Sequence, residues 1–76
     1  MIQELDQVVL TENIAEHHLQ AGDVGTVVLI HNKGTGYTLE FMTFGGETIA
    51  VVTVHAHQVR IIAQDEIAHV RRLESA

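Results

Sequence analysis

The fold is decided by one stretch, Ala21-Gly22-Asp23-Val24-Gly25 running into Thr26-Val27-Val28-Leu29-Ile30. Glycine reaches positive φ without steric cost, and an aspartate accepts hydrogen bonds from nearby backbone N–H groups. Gly22, Asp23 and Gly25 therefore predict a tight turn that launches a strand, and the β-branched run after it predicts that strand over residues 26–32.

Working outward, Asn32-Lys33-Gly34-Thr35-Gly36 is a glycine-containing hairpin loop. From Tyr37 to Phe44 the chain alternates, with Tyr37, Leu39 and Phe41 on one face and Thr38 and Glu40 on the other, the period of a half-buried strand. Gly45-Gly46 predicts a two-residue turn into a strand over 48–54. Three strands joined by two tight turns make a meander. Upstream, Leu5 to Thr11, centred on Val8, Val9 and Leu10, predicts a strand, and Glu12 to Gln20 a long loop with room for one short turn. Downstream, His55-Ala56-His57-Gln58 reads as a short turn and Val59 to Ile62 as a short strand. The tail from Ala63 is ambiguous: Ile67, Val70 and Leu73 recur every three residues, but the short length and His69-Val70 favour a strand over a helix. Strand, long loop, three meander strands, short turn and last strand is the order of an SH3-like barrel. The expectation is an all-β domain of about five strands, the barrel over 1–62 and a C-terminal extension over 63–76.

Composition sets the limits. At 76 residues the chain is a single domain with no cysteine, so neither disulfides nor cysteine-based zinc sites can staple it. A domain this size buries only about 60% of the surface its unfolded chain exposes. The formal net charge is −6. Binding to a phosphate backbone draws on clustered basic side chains, whereas Lys33, Arg60, Arg71 and Arg72 are scattered apart from the last pair. That argues against nucleic acid, and against an anionic membrane surface. The N-terminus shows no basic segment followed by an apolar one, and no apolar run approaches the length of a membrane span. A cytoplasmic protein is expected. Protonating all six histidines would take the charge from −6 to 0, so solubility, measured across a pH series, is expected to be poorest in mildly acidic buffer.

Two runs are apolar on both faces: Val27-Val28-Leu29-Ile30 and Ile49-Ala50-Val51-Val52. Burying one such side chain is worth about 1.5–3 kcal/mol, so the outward members call for a cover. Either the tail supplies it, through Ile67, Val70 and Leu73, or a second protein chain does. Val28, Ile30, Val51, Ile67, Val70 and Leu73 are the candidate interface residues.

Chemistry is sparse. His17-His18 and His55-Ala56-His57 are the histidine clusters; on a strand, His55 and His57 would share a face, and Glu16, Glu47 or Asp65 could complete a metal site. No zinc spacing is matched, and no metal or cofactor is expected. The one serine, Ser75, lies at the C-terminus, and the acids Glu40 and Glu47 flank a hairpin where carboxylates are usually solvated. No phosphate-loop lysine follows Gly22-Asp23-Val24-Gly25. An aromatic groove for proline-rich peptides is not expected either, because Tyr37 and Phe41 are committed to the core face. No enzyme is expected.

Taken together, Leu5 to Thr11, Leu19 to Val28, Tyr37 to Phe41, Gly46 to Val54 and Gln58-Val59-Arg60 resemble a family of short bacterial proteins, found in cyanobacteria and proteobacteria, catalogued only as a domain of unknown function. The resemblance covers nearly the whole chain. It implies a small SH3-like barrel and no activity. Genes of this kind look like members of small toxin–antitoxin operons, which implies an antitoxin-like or accessory subunit that binds a protein partner or itself, as a homodimer. Members of that family often carry a proline and an acid near the turn occupied here by His55-Ala56-His57, a departure that takes the histidines out of any shared function. The stretch Gly22 to Val27 is also similar to ribosomal and transcription-factor barrels that touch RNA, which makes a nucleic-acid-binding barrel the alternative; those barrels are basic and this chain is acidic.

Overall fold

A computed structural model describes residues 1–73; Ser75 and the end of the extension lie outside them. Five strands form one antiparallel sheet: β1 (Gln7–Leu10), β2 (Val24–His31), β3 (Gly36–Met42), β4 (Thr48–His55) and β5 (Val59–Ile61), in the order β4-β3-β2-β1-β5. Short 3-10 turns cover Ala15–His17 in the long loop and Ala56–Gln58 between β4 and β5. The all-β expectation holds, as does the meander; the last strand lies beside the first.

One apolar cluster draws on every strand: Val8 and Leu10 from β1, Val27 from β2, Tyr37, Leu39 and Phe41 from β3, Val52 and Val54 from β4, and Val59 from β5. Because both edges of the sheet contribute, the sheet curls around this cluster, and Ile14 and Leu19 of the long loop close one end of it. The expected alternation on β3 is met: Leu39 is fully buried, whereas Thr38 and Glu40 face away.

The launching turn is tighter and earlier than the sequence indicates. Gln20 N donates to Asp23 Oδ2 at 2.8 Å and Asp23 N to Gln20 O at 3.0 Å, with Gly22 at φ +96°. Val24 and Gly25 already belong to β2. The two glycines thus serve different ends. Gly22 supplies a left-handed backbone with open space around it. Gly25 lies on the core face, where an added Cβ would sit 2.8 Å from Cζ of Phe41; its requirement is room, not φ. Gly22→Ala is expected to lower stability by about 1 kcal/mol through backbone strain alone, read from a urea melt.

Other boundaries move for identifiable reasons. Leu5, expected in the first strand, sits at φ 74° and donates its N–H to Val27 O, so pairing begins at Gln7. The turn at Gly45-Gly46 is wider than two residues: Thr43 N donates to Glu47 O and Gly46 N to Thr43 O, which places Phe44 at an exposed loop tip and not in the strand. The tail was expected to be a strand; residues 62–73 form neither strand nor helix. Side chains anchor it where a ladder would have. Arg60 makes two bonds to Glu66, at 2.7 and 2.6 Å, with Glu66 turned back by a bond from Ala63 N. Arg71 then clamps Asp23 with bonds of 2.8 and 2.6 Å.

Those anchors lie on either side of β1. Arg60 is the register partner of Val9 on one flank, and Val24, next to Asp23, is its partner on the other. Residues 66–71 therefore run as a strap from the β5 flank of β1 to the turn on its β2 flank. Val9 is only 7% exposed although it stands outside the main cluster.

Candidate functional site

The face of β2, β3 and β4 turned away from the core carries the side chains left for function. Register assigns them in rows: Thr26, Glu40 and Val51; Leu29, Thr38 and Thr53; His31, Gly36 and His55. Two irregularities shape this face. Val28 is an extra residue in β2, between the pairs Val27–Leu39 and Leu29–Thr38, so Val27 and Ile30 both face the core while Val28 and Leu29 face out. Ile49 is likewise extra in β4, between Phe41–Ala50 and Met42–Thr48. A bulge of this kind lets a strand that is apolar throughout present two hydrophobes to each side.

The polar part of the face is hydrogen-bonded. His31 Nε2 lies 2.6 Å from Thr38 Oγ1, which lies 3.0 Å from Thr53 Oγ1, and the Thr48 hydroxyl donates to Glu40 Oε2 at 2.6 Å. At the far end, His31, Asn32, Thr35, Gly36, Thr53, Val54 and His55 line an open groove of about 420 Å³. The rings of His55 and His57 stack at 5.6 Å, 7° from parallel. They are neighbours, but among the described residues no three histidine, aspartate or glutamate side chains gather as a metal-binding group.

The apolar part is larger than the sequence suggested. Val28 and Val51 lie on this face and are exposed, Val51 by 56%. Leu29 and Met42 join them, with Ile49 at the bulge; Leu29 was missed because a period of two, read across the extra residue Val28, assigns faces wrongly. Ile30, named with the candidate interface, packs against the core instead. Ile67, Val70 and Leu73 are exposed on the strap, Ile67 by 95%. The structure thus separates the six: Val28 and Val51 on the meander face, the three residues of the tail exposed along it, Ile30 against the core. The tail is tied to Arg60 and Asp23, which flank β1, and Val28 and Val51 stay exposed.

Gln20, Ala21, Gly22 and Asp23 meet His69 and Arg71 around a smaller hollow of about 220 Å³. Arg71 also donates to His18 O at 3.2 Å. Partial burial pulls the Asp23 pKa upward, but the Arg71 hydrogen bonds, the Gln20 N–H and the Arg71 charge outweigh it, and the carboxyl is held below 3.8. The Arg60 hydrogen bonds bring Glu66 down to about 2. No sequence signal could pair Arg71 with Asp23, 48 positions away.

A family model described as a domain of unknown function, DUF4926, matches residues 4–61. The chain belongs to that family. The match spans all five strands of this DUF4926 chain and ends with β5, short of the strap. No curated protein and no solved structure shows significant similarity to it. No helix among the described residues of the DUF4926 chain is long and apolar enough to cross a membrane.

Proposed function

We propose that this DUF4926 chain is an SH3-like barrel that works as a protein-interaction domain, binding through the outer face of β2, β3 and β4 without chemistry of its own. The strand order β4-β3-β2-β1-β5, with a long loop after β1 and a 3-10 turn before β5, supports the SH3-like reading. One observation carries the binding role. Val28, Leu29, Met42, Ile49 and Val51 stay exposed on the outer face of strands that end at β4, an edge that no other described strand pairs, while the tail is tied to Arg60 and Asp23. A domain with a thin stability margin gains nothing from exposed side chains worth about 1.5–3 kcal/mol each when buried. An accessory subunit held by a protein partner fits that surface. Arg60 and Arg71 are already engaged by Glu66 and Asp23, which leaves an acidic chain still less suited to a phosphate backbone.

The test is affinity capture from the native host with the wild-type chain and with a Leu29→Asp, Val51→Asp double variant. Both residues are exposed, so the variant is expected to fold. Capture of a stable partner by the wild type alone supports the reading. Equal capture by both, or salt-sensitive retention of RNA or DNA in place of protein, would overturn it.

A further inference from the structure

We propose that two copies of this chain pair through β4, antiparallel, about a two-fold axis at Val52, joining their sheets into one of ten strands. The inference rests on the reading of this chain as a protein-binding domain, and adds to the outer face a second contact, the edge of β4, whose partner is a second copy. β4 is one end of the sheet. The direction of its backbone groups follows from two bonds. Ala56 N donates inward to Thr35 O, so residues 52 and 54 address β3, and His55 N donates to Gln58 Oε1, on the opposite side. The N–H and C=O groups of Val51 and Thr53 therefore point off the sheet, toward any strand laid alongside.

The ends of this open stretch are closed. At one end the ladder loses its phase at the Ile49 bulge; at the other, Gln58 occupies the N–H of His55. Ile49 and His55 are each three residues from Val52. The open window thus has its centre where a two-fold axis would pass, and an antiparallel copy sets Val51 opposite Thr53 of the other chain and Thr53 opposite Val51. A two-fold interface must be self-complementary in this way. A strand from an unrelated protein could use the same groups but would have no reason to share their centre.

Charge agrees. Thr48–His55 contains no lysine, arginine, aspartate, glutamate or proline, the residues that ordinarily blunt a free edge. In a chain of net charge −6, an uncharged edge lets a like-charged copy approach, because the remaining repulsion is screened beyond roughly 8–10 Å at moderate salt.

Register makes the proposal testable. In the pairing given, Val51→Lys with Thr53→Lys sets lysine against lysine twice, whereas Val51→Lys with Thr53→Glu sets lysine against glutamate twice. All four side chains replace exposed ones, and circular dichroism with a thermal melt checks that each variant folds. Sedimentation velocity over a concentration series is expected to show the wild type moving from monomer toward dimer. The lysine–lysine variant should associate about tenfold more weakly than the lysine–glutamate variant. A wild type that stays monomeric throughout, a lysine–lysine variant that associates as well as the wild type, or two variants equally impaired would each overturn it. A monomeric wild type removes self-pairing alone; the broader binding role stands or falls on the capture experiment.

Discussion

Phe41→Ala is expected to leave little folded protein, and Gly25→Ala to show why. Phe41 is 2% exposed at the centre of the cluster, with its ring against the bare backbone of Gly25. Truncating a buried phenylalanine costs about 3–5 kcal/mol. Small domains hold about 0.05–0.15 kcal/mol per residue, so a chain of 76 residues has on the order of 4–11 kcal/mol in all. The loss is a large fraction of that and could exhaust it. Gly25→Ala acts from the opposite side, by overfilling. A methyl 2.8 Å from Phe41 Cζ forces the ring or β2 to move, at about 1–3 kcal/mol. For a domain of this length that lowers Tm by about 4–8 °C per kcal/mol. The pair is expected to be coupled: Phe41→Leu, which shortens the ring, should make Gly25→Ala milder than in the wild type, as read by a double-mutant cycle of urea melts. An unchanged Tm for Gly25→Ala would mean that the close approach is not what the position requires.

Gly25 also marks where the sequence stopped being legible. Two glycines around Asp23-Val24 read alike, because a sequence shows that glycine is present and not which of its properties is used. Only the partner across the sheet, Phe41, separates the two cases. The alternation of Tyr37, Leu39 and Phe41 was readable without help, since a regular half-buried strand writes its faces into a period of two. The runs Val27 to Ile30 and Ile49 to Val52 were not, because each carries a bulge and a bulge resets that period. Their double-sided apolar character was visible; its cause was not. The meander came through because short turns tie neighbours together; the place of the last strand beside β1 had no such local signal.

The candidate surface was half legible for the same reason. Val28 and Val51 were named from apolar surplus, and both are exposed. Leu29 needed the register, and Ile30 was misassigned by a period of two that the extra residue Val28 breaks. The tail was the least readable element. Its spacing of apolar residues suggested a packed strand or helix, whereas its position is set by two ion pairs between residues whose partners are distant in sequence or, for Arg60 and Glu66, folded back on the same turn. Charged side chains scattered along an acidic chain give no indication of which pair will meet.

That strap yields the second large effect. Asp23→Asn removes the charge that Arg71 grips with two bonds and weakens the acceptor of Gln20 N. Hydrogen bonds to charged groups contribute about 1.5–3 kcal/mol; with Arg71 and Asp23 still partly open to water, about 1–2 kcal/mol is expected here. Acid should do the same without a mutation. Asp23 is held below its ordinary 3.8, and Glu66 is lowered from 4.5 to about 2. A carboxyl lowered in the folded chain binds its proton more readily in the unfolded one, so its stabilisation is whole above the ordinary value and is lost as pH falls through the lowered one. The strap is therefore expected to hold at neutral pH and to loosen as pH falls below about 4, the Arg60–Glu66 anchor being lost as pH approaches about 2. Val9 is the residue to watch, because it is buried and its register partners, Arg60 and Val24, adjoin the two anchors. In an NMR titration its methyl resonances should move together with the carboxyl carbons of Asp23 and Glu66. In Asp23→Asn they should be partly displaced at neutral pH, with Val8 and Leu10 unmoved on the other side of the same strand. If the Val9 methyls stay in place while both carboxyls titrate, the strap does not cover β1, and the burial of Val9 has another cause.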